Sequence, residues 1–357
     1  ASLADAYRTF MAEQKAQQPE PERFRAPPPI PEMPVDADRA AQVARAADVA
    51  IITIGRQSGE GRDREAGEFT LSATEQTLIK NTAAAFHAAG KKAIVVMNVA
   101  GVIEVASWRD EVDAILLAWQ PGQEGGNAIA DVLKGAVNPS GRLPMTFPMA
   151  YADVPSADNF PGHVLPGNEE QEGGFMRGSP SEVTYEEGIY VGYRYYNTFG
   201  VETAYPFGYG LSYTDFTYGD LQLSASTFDG AMTATATVTN SGDTPGREVV
   251  QLYLTAPDGA LEKPERELKA FAKTGLLQPG ASATVSFTLR AGDLASFDTG
   301  RAAWVAEPGT YGVKIAASAA DTRLEGSFDL TQELVVEQAH NVLAPQVPID
   351  ELSRRGM

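Results

Sequence analysis

Arg56-Gln57-Ser58-Gly59-Glu60-Gly61-Arg62-Asp63-Arg64 sets one carboxyl group, Glu60, between two glycines. Gly59 and Gly61 reach backbone angles closed to other residues, so the chain can turn sharply and hold the Glu60 side chain out towards a ligand. A carboxyl presented in this way is placed to do chemistry on that ligand or to meet another domain. The residues alone leave a second account open. Arg62, Asp63, Arg64, Glu65 and Glu68 crowd the same stretch, and a solvated loop of mixed charge is the simpler reading of such a cluster.

The elements around it argue for a site. Residues 49–54, Val-Ala-Ile-Ile-Thr-Ile, form a short β-branched apolar run ended by Gly55, the pattern of a strand inside a parallel sheet. The C-terminal end of such a strand is where α/β proteins place their chemistry. Asp36 or Asp38 can cap a helix over 39–47 that feeds this strand. Ser72 and Glu75 have capping-box spacing for a second helix, with Leu78, Ile79, Thr82, Ala83 and Phe86 on one face and Gly90 ending it. Strands over 93–97 and 114–119 and a helix over 127–133, closed by Gly135, continue the alternation. The fold expected here is a parallel sheet with helices on both faces.

After Tyr213 the hydrophobic period changes from 3.6 to 2. Residues 232–239 alternate strictly, Asn240-Ser241-Gly242-Asp243 is a turn, and 249–254 resumes the strand pattern. Further runs over 268–272, 284–289, 302–305, 311–315 and 327–330 bring the count to about seven short strands, the number of an immunoglobulin-like sandwich. Beyond Val335 the chain is polar without period, a tail or an arm laid on a neighbour.

Other clusters are weaker. Gly122-Gln123-Glu124-Gly125-Gly126 lies between a strand and a helix, where a phosphate could bind. It does not match G-x-G-x-x-G and no acidic residue follows at the required strand end, so a tight turn closing the helix onto the sheet is preferred. Tyr190, Tyr193, Tyr195 and Tyr196 could stack on sugar rings, although such a run is more often packing. His87, His163 and His340 are far apart without acidic neighbours at ligand spacing, and no G-x-S-x-G elbow accompanies them.

The chain of 357 residues is 43% hydrophobic, enough for a substantial core in two or three domains. Its net charge of −19 disfavours nucleic acid and anionic membranes, both of which call for a cationic surface, and suits a neutral ligand such as a sugar. No apolar run reaches spanning length. With no cysteine, disulfides and thiolate metal sites are excluded while the compartment stays open. Residues 1–15 are polar and amphipathic without a cleavable signal pattern, as in the interior of a longer chain, and 18–34, centred on Pro27-Pro28-Pro29, read as an extended connector.

In order along the chain stand Ser58-Gly59-Glu60-Gly61 with Asp63-Arg64, Trp119-Gln120-Pro121-Gly122-Gln123-Glu124-Gly125-Gly126, Asn138-Pro139-Ser140-Gly141-Arg142-Leu143-Pro144, Tyr190-Val191-Gly192-Tyr193-Arg194-Tyr195-Tyr196 and Pro206-Phe207-Gly208-Tyr209-Gly210-Leu211-Ser212-Tyr213. In this series the chain resembles the C-terminal half of a bacterial β-glucosidase of glycoside hydrolase family 3. The resemblance implies an α/β sandwich domain followed by a fibronectin type III-like β-sandwich. The expected divisions are a lead-in and connector over 1–35, the α/β domain over 36–211, the β-sandwich over 212–335 and a tail over 336–357. It also implies that Glu60 is the general acid/base, supported by Ser58, Gly59, Gly61, Asp63 and Arg64.

The family's nucleophile is an aspartate in a Ser-Asp-Trp-like motif on an N-terminal (β/α)8 barrel. No such motif is present here, and Ala106-Ser107-Trp108-Arg109-Asp110 is not one. The expected partner is therefore that barrel as a separate polypeptide, and the expected substrate a β-glucoside or short gluco-oligosaccharide, with no metal or cofactor. β-Xylosidase or another exo-glycosidase activity, and a non-catalytic carbohydrate-binding or assembly module, are the alternatives. A homodimer of the complete enzyme is left open, and a periplasmic or secreted location is weighed ahead of a cytoplasmic one.

Overall fold

The computed structural model of the chain describes residues 2–19, 30–56, 64, 66–168 and 179–356. Pro27-Pro28-Pro29, Ser58, Gly59, Glu60, Gly61, Arg62, Asp63 and Glu65 lie outside them. The chain divides into two compact units, 1–126 and 127–357.

The first unit opens with helix α1 (Leu3–Gln17), begun by a capping box between Ser2 and Asp5. Helix α2 (Ala37–Ala46) starts where the Asp36 side chain accepts from the Arg39 amide at 2.7 Å. Strand β1 (Val49–Gly55), helix α3 (Ala73–Ala88), strand β2 (Lys92–Asn98) and strand β3 (Ala114–Leu117) follow, and helix α4 (Gly125–Leu133) begins at the unit's end. The sheet order is β1-β2-β3, all parallel, with Ala50 beside Ala93 and Ile94 beside Ala114. Alternation on β1 turns Ala50, Ile52 and Ile54 inward. Ala50 and Ala93 pack with Ala44, Ala83 and Phe86 of the two preceding helices, so the helical face read from 78–86 is the one that seals the sheet. Along β1, a groove of about 510 Å³ is lined by Leu3 and Tyr7 of α1 together with Val35, Val49, Ile51 and Phe86. Among the described residues no helix is long and apolar enough to cross a membrane.

In the second unit the aromatic run forms a short helix, α5 (Tyr193–Phe199), set between Gly192 and Gly200, both at positive φ. The sandwich has strands β4 (Phe216–Leu223), β5 (Ala231–Asn240), β6 (Val249–Thr255), β7 (Glu267–Lys273) and β8 (Ser282–Arg290). After them come β9 (Ser296–Asp298), β10 (Ala303–Ala306), β11 (Gly309–Ser318), β12 (Asp321–Leu330) and β13 (Leu334–Gln338). Two antiparallel sheets, β7-β6-β11-β12 and β8-β5-β4, face each other across a core of Met232, Ala234, Val238, Leu252, Leu289 and Ile315. Every one of these six is fully buried.

Those two sheets hold seven strands, but not the seven expected. Residues 216–223 were not anticipated, because the register shift between Gly219 and Gln222, with Asp220 at φ 54°, interrupts the alternation. Residues 302–305, expected in the sandwich, instead belong to a small third sheet, β9-β10-β13. The polar tail is also corrected. Its first part, β13, pairs with β10, and its side chains are half or fully exposed, so no period of two marks it. Further on, the tail lies on its own unit: the Leu352 amide donates to Glu186 O at 2.6 Å and the Arg354 amide to Glu262 Oε1 at 2.7 Å.

Candidate active site

The C-terminal ends of β1 and β2 are tied together. Arg56, the first residue past β1, donates its amide to Asn98 O at 3.1 Å. Asn98, at the end of β2, donates through Nδ2 to Trp119 O at 2.5 Å, and Trp119 holds a left-handed φ of 53° to present that carbonyl. In sequence, residues 57–63, Glu60 among them, lie between Arg56 and Arg64 and outside the described residues.

Both flanking arginines are anchored. The Arg56 guanidinium donates to Glu75 Oε1 at 2.5 Å and Oε2 at 2.9 Å, to Gly55 O at 2.9 Å and to Thr70 O at 3.3 Å. The two side chains are 16% and 5% exposed, so this pair is shielded from water. Burial works to raise the Glu75 pKa, but hydrogen bonds from Arg56 and the Ser72 amide outweigh it and hold the carboxyl below its usual range. Glu32 faces the same pair. Its pKa is raised, first by burial and then by the Glu75 charge. Arg64 donates through Nη2 to Val102 O at 2.7 Å. Gly101 makes room for it, since a Cβ there would stand 3.0 Å from that nitrogen. The Nη1 atom of Arg64 is buried without a hydrogen-bond partner among the described residues.

The remaining sequence candidates sort by contact. The turn at 122–126 places Gly122 and Glu124 at positive φ, and a Cβ on Gly125 would lie 2.6 Å from the Pro121 ring. Close packing of backbone onto Pro121 is what these glycines permit, as the tight-turn reading expects. Ser107 donates to Glu104 through both its amide and Oγ, at 2.6 and 2.7 Å, and Trp108 is buried. Asp110 is 92% exposed, so this stretch is a locally closed turn rather than a nucleophile's setting. The fold brings one acidic partner to His87 from 26 positions away: Asp113 Oδ2 lies 2.9 Å from its Nε2. Lys92 Nζ sits 2.6 Å from the other Asp113 oxygen. A cation already on the carboxylate makes this a surface ion-pair cluster at the opposite end of the strands.

The later motifs tie segments to the sandwich. Asn138 donates to Pro245 O at 3.0 Å and accepts from Ser212 Oγ and the Tyr213 amide at 3.0 and 2.9 Å. Arg142 meets both Glu248 oxygens at 2.8 Å with side chains 9% and 5% exposed. Gly208, at φ 80°, presents its carbonyl to Gln251 Nε2 at 3.1 Å. The aromatic run is packing. Tyr193 lies 4.8 Å from the Phe207 ring and 5.8 Å from Tyr253, and its hydroxyl accepts from the Leu268 amide at 2.8 Å.

Arg56 and Trp119 open two of the sequence motifs, but their contacts with Glu75 and Asn98 were not read from the sequence. Glu75 was visible only as a cap, and nothing in the local sequence links it to Arg56, 19 positions earlier.

Residues 4–193 match the glycosyl hydrolase family 3 C-terminal domain and 248–319 a fibronectin type III-like domain. β-Glucosidase A of Butyrivibrio fibrisolvens is 38% identical over 90% of this chain and 42% of its own length. A β-glucosidase of Rhizobium radiobacter is 40% identical over 84% of this chain and 34% of its own. Among solved structures, β-glucosidase 3B from Thermotoga neapolitana in complex with α-D-glucose superposes with a TM-score of 0.84 at 46% identity, over 93% of this chain and 44% of that one. The chain thus spans less than half the length of these relatives. With an α/β unit built on a parallel sheet and a fibronectin type III-like β-sandwich in place, the chain belongs to the glycosyl hydrolase family 3 C-terminal domain family.

Proposed function

We propose that this chain is the acid/base-bearing half of a retaining, exo-acting β-glucosidase that hydrolyses terminal non-reducing β-D-glucosyl residues. The carrying observation is the sequence Ser58-Gly59-Glu60-Gly61, which follows strand β1 in the chain and stands in sequence between Arg56 and Arg64, both of them anchored. The named β-glucosidase relatives support the substrate class. In this reading Ser58, Gly59, Gly61, Asp63 and Arg64 shape the loop, and the α/β domain over 36–211 is followed by the sandwich over 212–335. The nucleophile comes from an N-terminal (β/α)8 barrel outside this chain.

The reaction then runs in two steps. A carboxylate on the barrel bonds to the anomeric carbon as the bond from that carbon to the glycosidic oxygen breaks, and Glu60 gives its proton to the departing oxygen. In the second step the Glu60 carboxylate takes a proton from water. The water oxygen bonds to the anomeric carbon, and the barrel's carboxylate leaves, so the product keeps its configuration.

Mixing this chain with the barrel half tests the proposal. Neither part alone should turn over an aryl β-glucoside, and the mixture should. Turnover by this chain alone would contradict the division of labour, faster turnover of an aryl β-xyloside would move the substrate to that sugar, and an inactive but assembled mixture would favour a non-catalytic module.

A further inference from the structure

We propose that residues 351–355 are a latch, with Glu262 as its keystone, that locks the segment leading into α5 onto the β-sandwich. The tail and residues 186–190 meet at that one carboxylate, and they let go of the sandwich together.

Glu262 lies in the loop between β6 and β7, within the stretch matched to the fibronectin type III-like domain. Tyr190, just before α5, falls in the stretch matched to the family 3 C-terminal domain. The buried Tyr190 donates its hydroxyl to Glu262 Oε1. The Arg354 amide donates to the same oxygen at 2.7 Å, and Arg355 Nε stands 3.3 Å from Oε2. Arg355 also donates through Nη2 to Gly259 O at 2.5 Å and Leu261 O at 2.8 Å, so one guanidinium serves three acceptors of this loop. The tail holds residues 186–190 as well. The Leu352 amide donates to Glu186 O at 2.6 Å, and Gly188, at φ 52°, makes room for Glu351, since a Cβ there would stand 2.7 Å from Glu351 Oε2.

The β6–β7 loop does not need Glu262 for its own shape. Glu307 supplies that, accepting from the Ala260 and Leu261 amides at 2.6 and 3.2 Å and from Lys263 Nζ at 2.5 Å. The Glu262 carboxylate is left to serve Tyr190 and the tail. Burial works against its charge, yet the bonds from Tyr190 and the Arg354 amide, with Ser353 and Arg355, hold its pKa below the usual range. Burial and then Glu262 push the Tyr190 phenol upward, so the two stay as donor and acceptor.

The way the tail is held makes it a latch. Residues 341–348, which lead to it from β13, are all exposed, and the Arg354 and Arg355 side chains are 42% and 50% exposed. Ion pairs this exposed contribute little singly, so the hold comes from their convergence on Glu262. A segment kept by a few solvent-accessible bonds opens locally, well below the cost of opening the core. Opening takes Arg355 and the Arg354 amide from Glu262 and the Leu352 amide from Glu186, and so loosens Tyr190, whose ring stands edge-on to Phe199 of α5 at 4.8 Å.

Hydrogen exchange read by mass spectrometry on the full-length enzyme tests this. The Tyr190 amide, which donates to Glu187 O at 2.9 Å, reports on residues 186–190, and the Leu352 and Arg354 amides report on the tail. Arg355→Ala removes three contacts of the tail, while Arg355 bonds to neither Tyr190 nor Glu186 among the described residues. It is expected to speed exchange roughly 10-fold or more in 351–355 and in 186–190 alike, with β5 and β6 unchanged within about twofold. Glu262→Gln keeps an acceptor for Tyr190, removes the charge and carries the same expectation. Faster exchange confined to 351–355, no change in either segment, or an equal rise in β5 and β6 would each overturn the latch. Should Glu262→Gln not fold, Arg355→Ala decides alone, since that side chain is half exposed.

Discussion

At the C-terminal edge of the parallel sheet the decisive contacts are polar and reach across the sequence: Arg56 to Glu75, Arg64 to Val102, Asn98 to Trp119. In the sandwich they are apolar and periodic, with every second residue of β5 from Met232 to Asn240 buried. A periodic apolar strand can lose or gain a neighbour's methyl group and still find its register, since a slip by one residue would turn the whole buried face outward. The sheet edge has no such redundancy. Among the described residues, each side-chain tether there is a single named pair, so position at this edge depends on those pairs.

The sharpest break in this contrast is Glu248, where a polar pair is built into the sandwich. Glu248→Ala leaves the Arg142 guanidinium shielded and unpaired, and should cost about 3–5 kcal/mol in denaturant unfolding of the second unit. A change near zero would show that the pair is dispensable and that the Asn138–Arg142 motif does not brace the sandwich. Leu252→Ala opens a cavity in the apolar core and is expected to cost about 2–5 kcal/mol. A smaller effect there than from Ser72→Ala, whose lost cap is worth about 1 kcal/mol, would invert the comparison between the two regions.

The mildest expectation concerns acid. Burial opposes ionisation of Glu75, Glu262, Glu265 and Glu307, yet hydrogen bonds from Arg56, Tyr190, Arg266 and Lys263 respectively, with others, leave all four pKa values below the ordinary 4.5. A folded-state pKa below the unfolded one stabilises the fold above the unfolded value, and that contribution is lost as pH falls through the folded one. Stability should therefore hold above pH 4.5 and decline below it, with the raised Glu32 opposing the trend. A Tm that rises between pH 4.5 and 3 would contradict these assignments.

What was legible in the sequence follows from the same contrast. The hydrophobic period marked β5, β6, β8 and β11, and the capping pair Ser72 and Glu75 marked the start of α3, because those signals are local. Strand β4 escaped because Gly219 and Asp220 form an irregularity in it, and β13 because exposure on a small sheet removes the alternation. The aromatic run was correctly weighed as packing, although the short helix α5 between Gly192 and Gly200 was not foreseen. At the candidate site, family resemblance pointed to Glu60, whereas the Arg56–Glu75 pair could not be read from spacing, since two charges 19 residues apart meet only once β1 and α3 have packed.

The most direct test of the central claim is Glu60→Gln in the full-length enzyme, followed with azide. Turnover of a natural disaccharide should fall roughly 10²- to 10⁴-fold, the range for loss of a general acid. With a dinitrophenyl β-glucoside, the first step should persist and the covalent glycosyl-enzyme should accumulate, because no base activates water. Azide needs no base, so it should restore turnover and yield β-glucosyl azide. Equal slowing of good and poor leaving groups, with no glucosyl azide formed, would show that Glu60 is not the proposed acid/base.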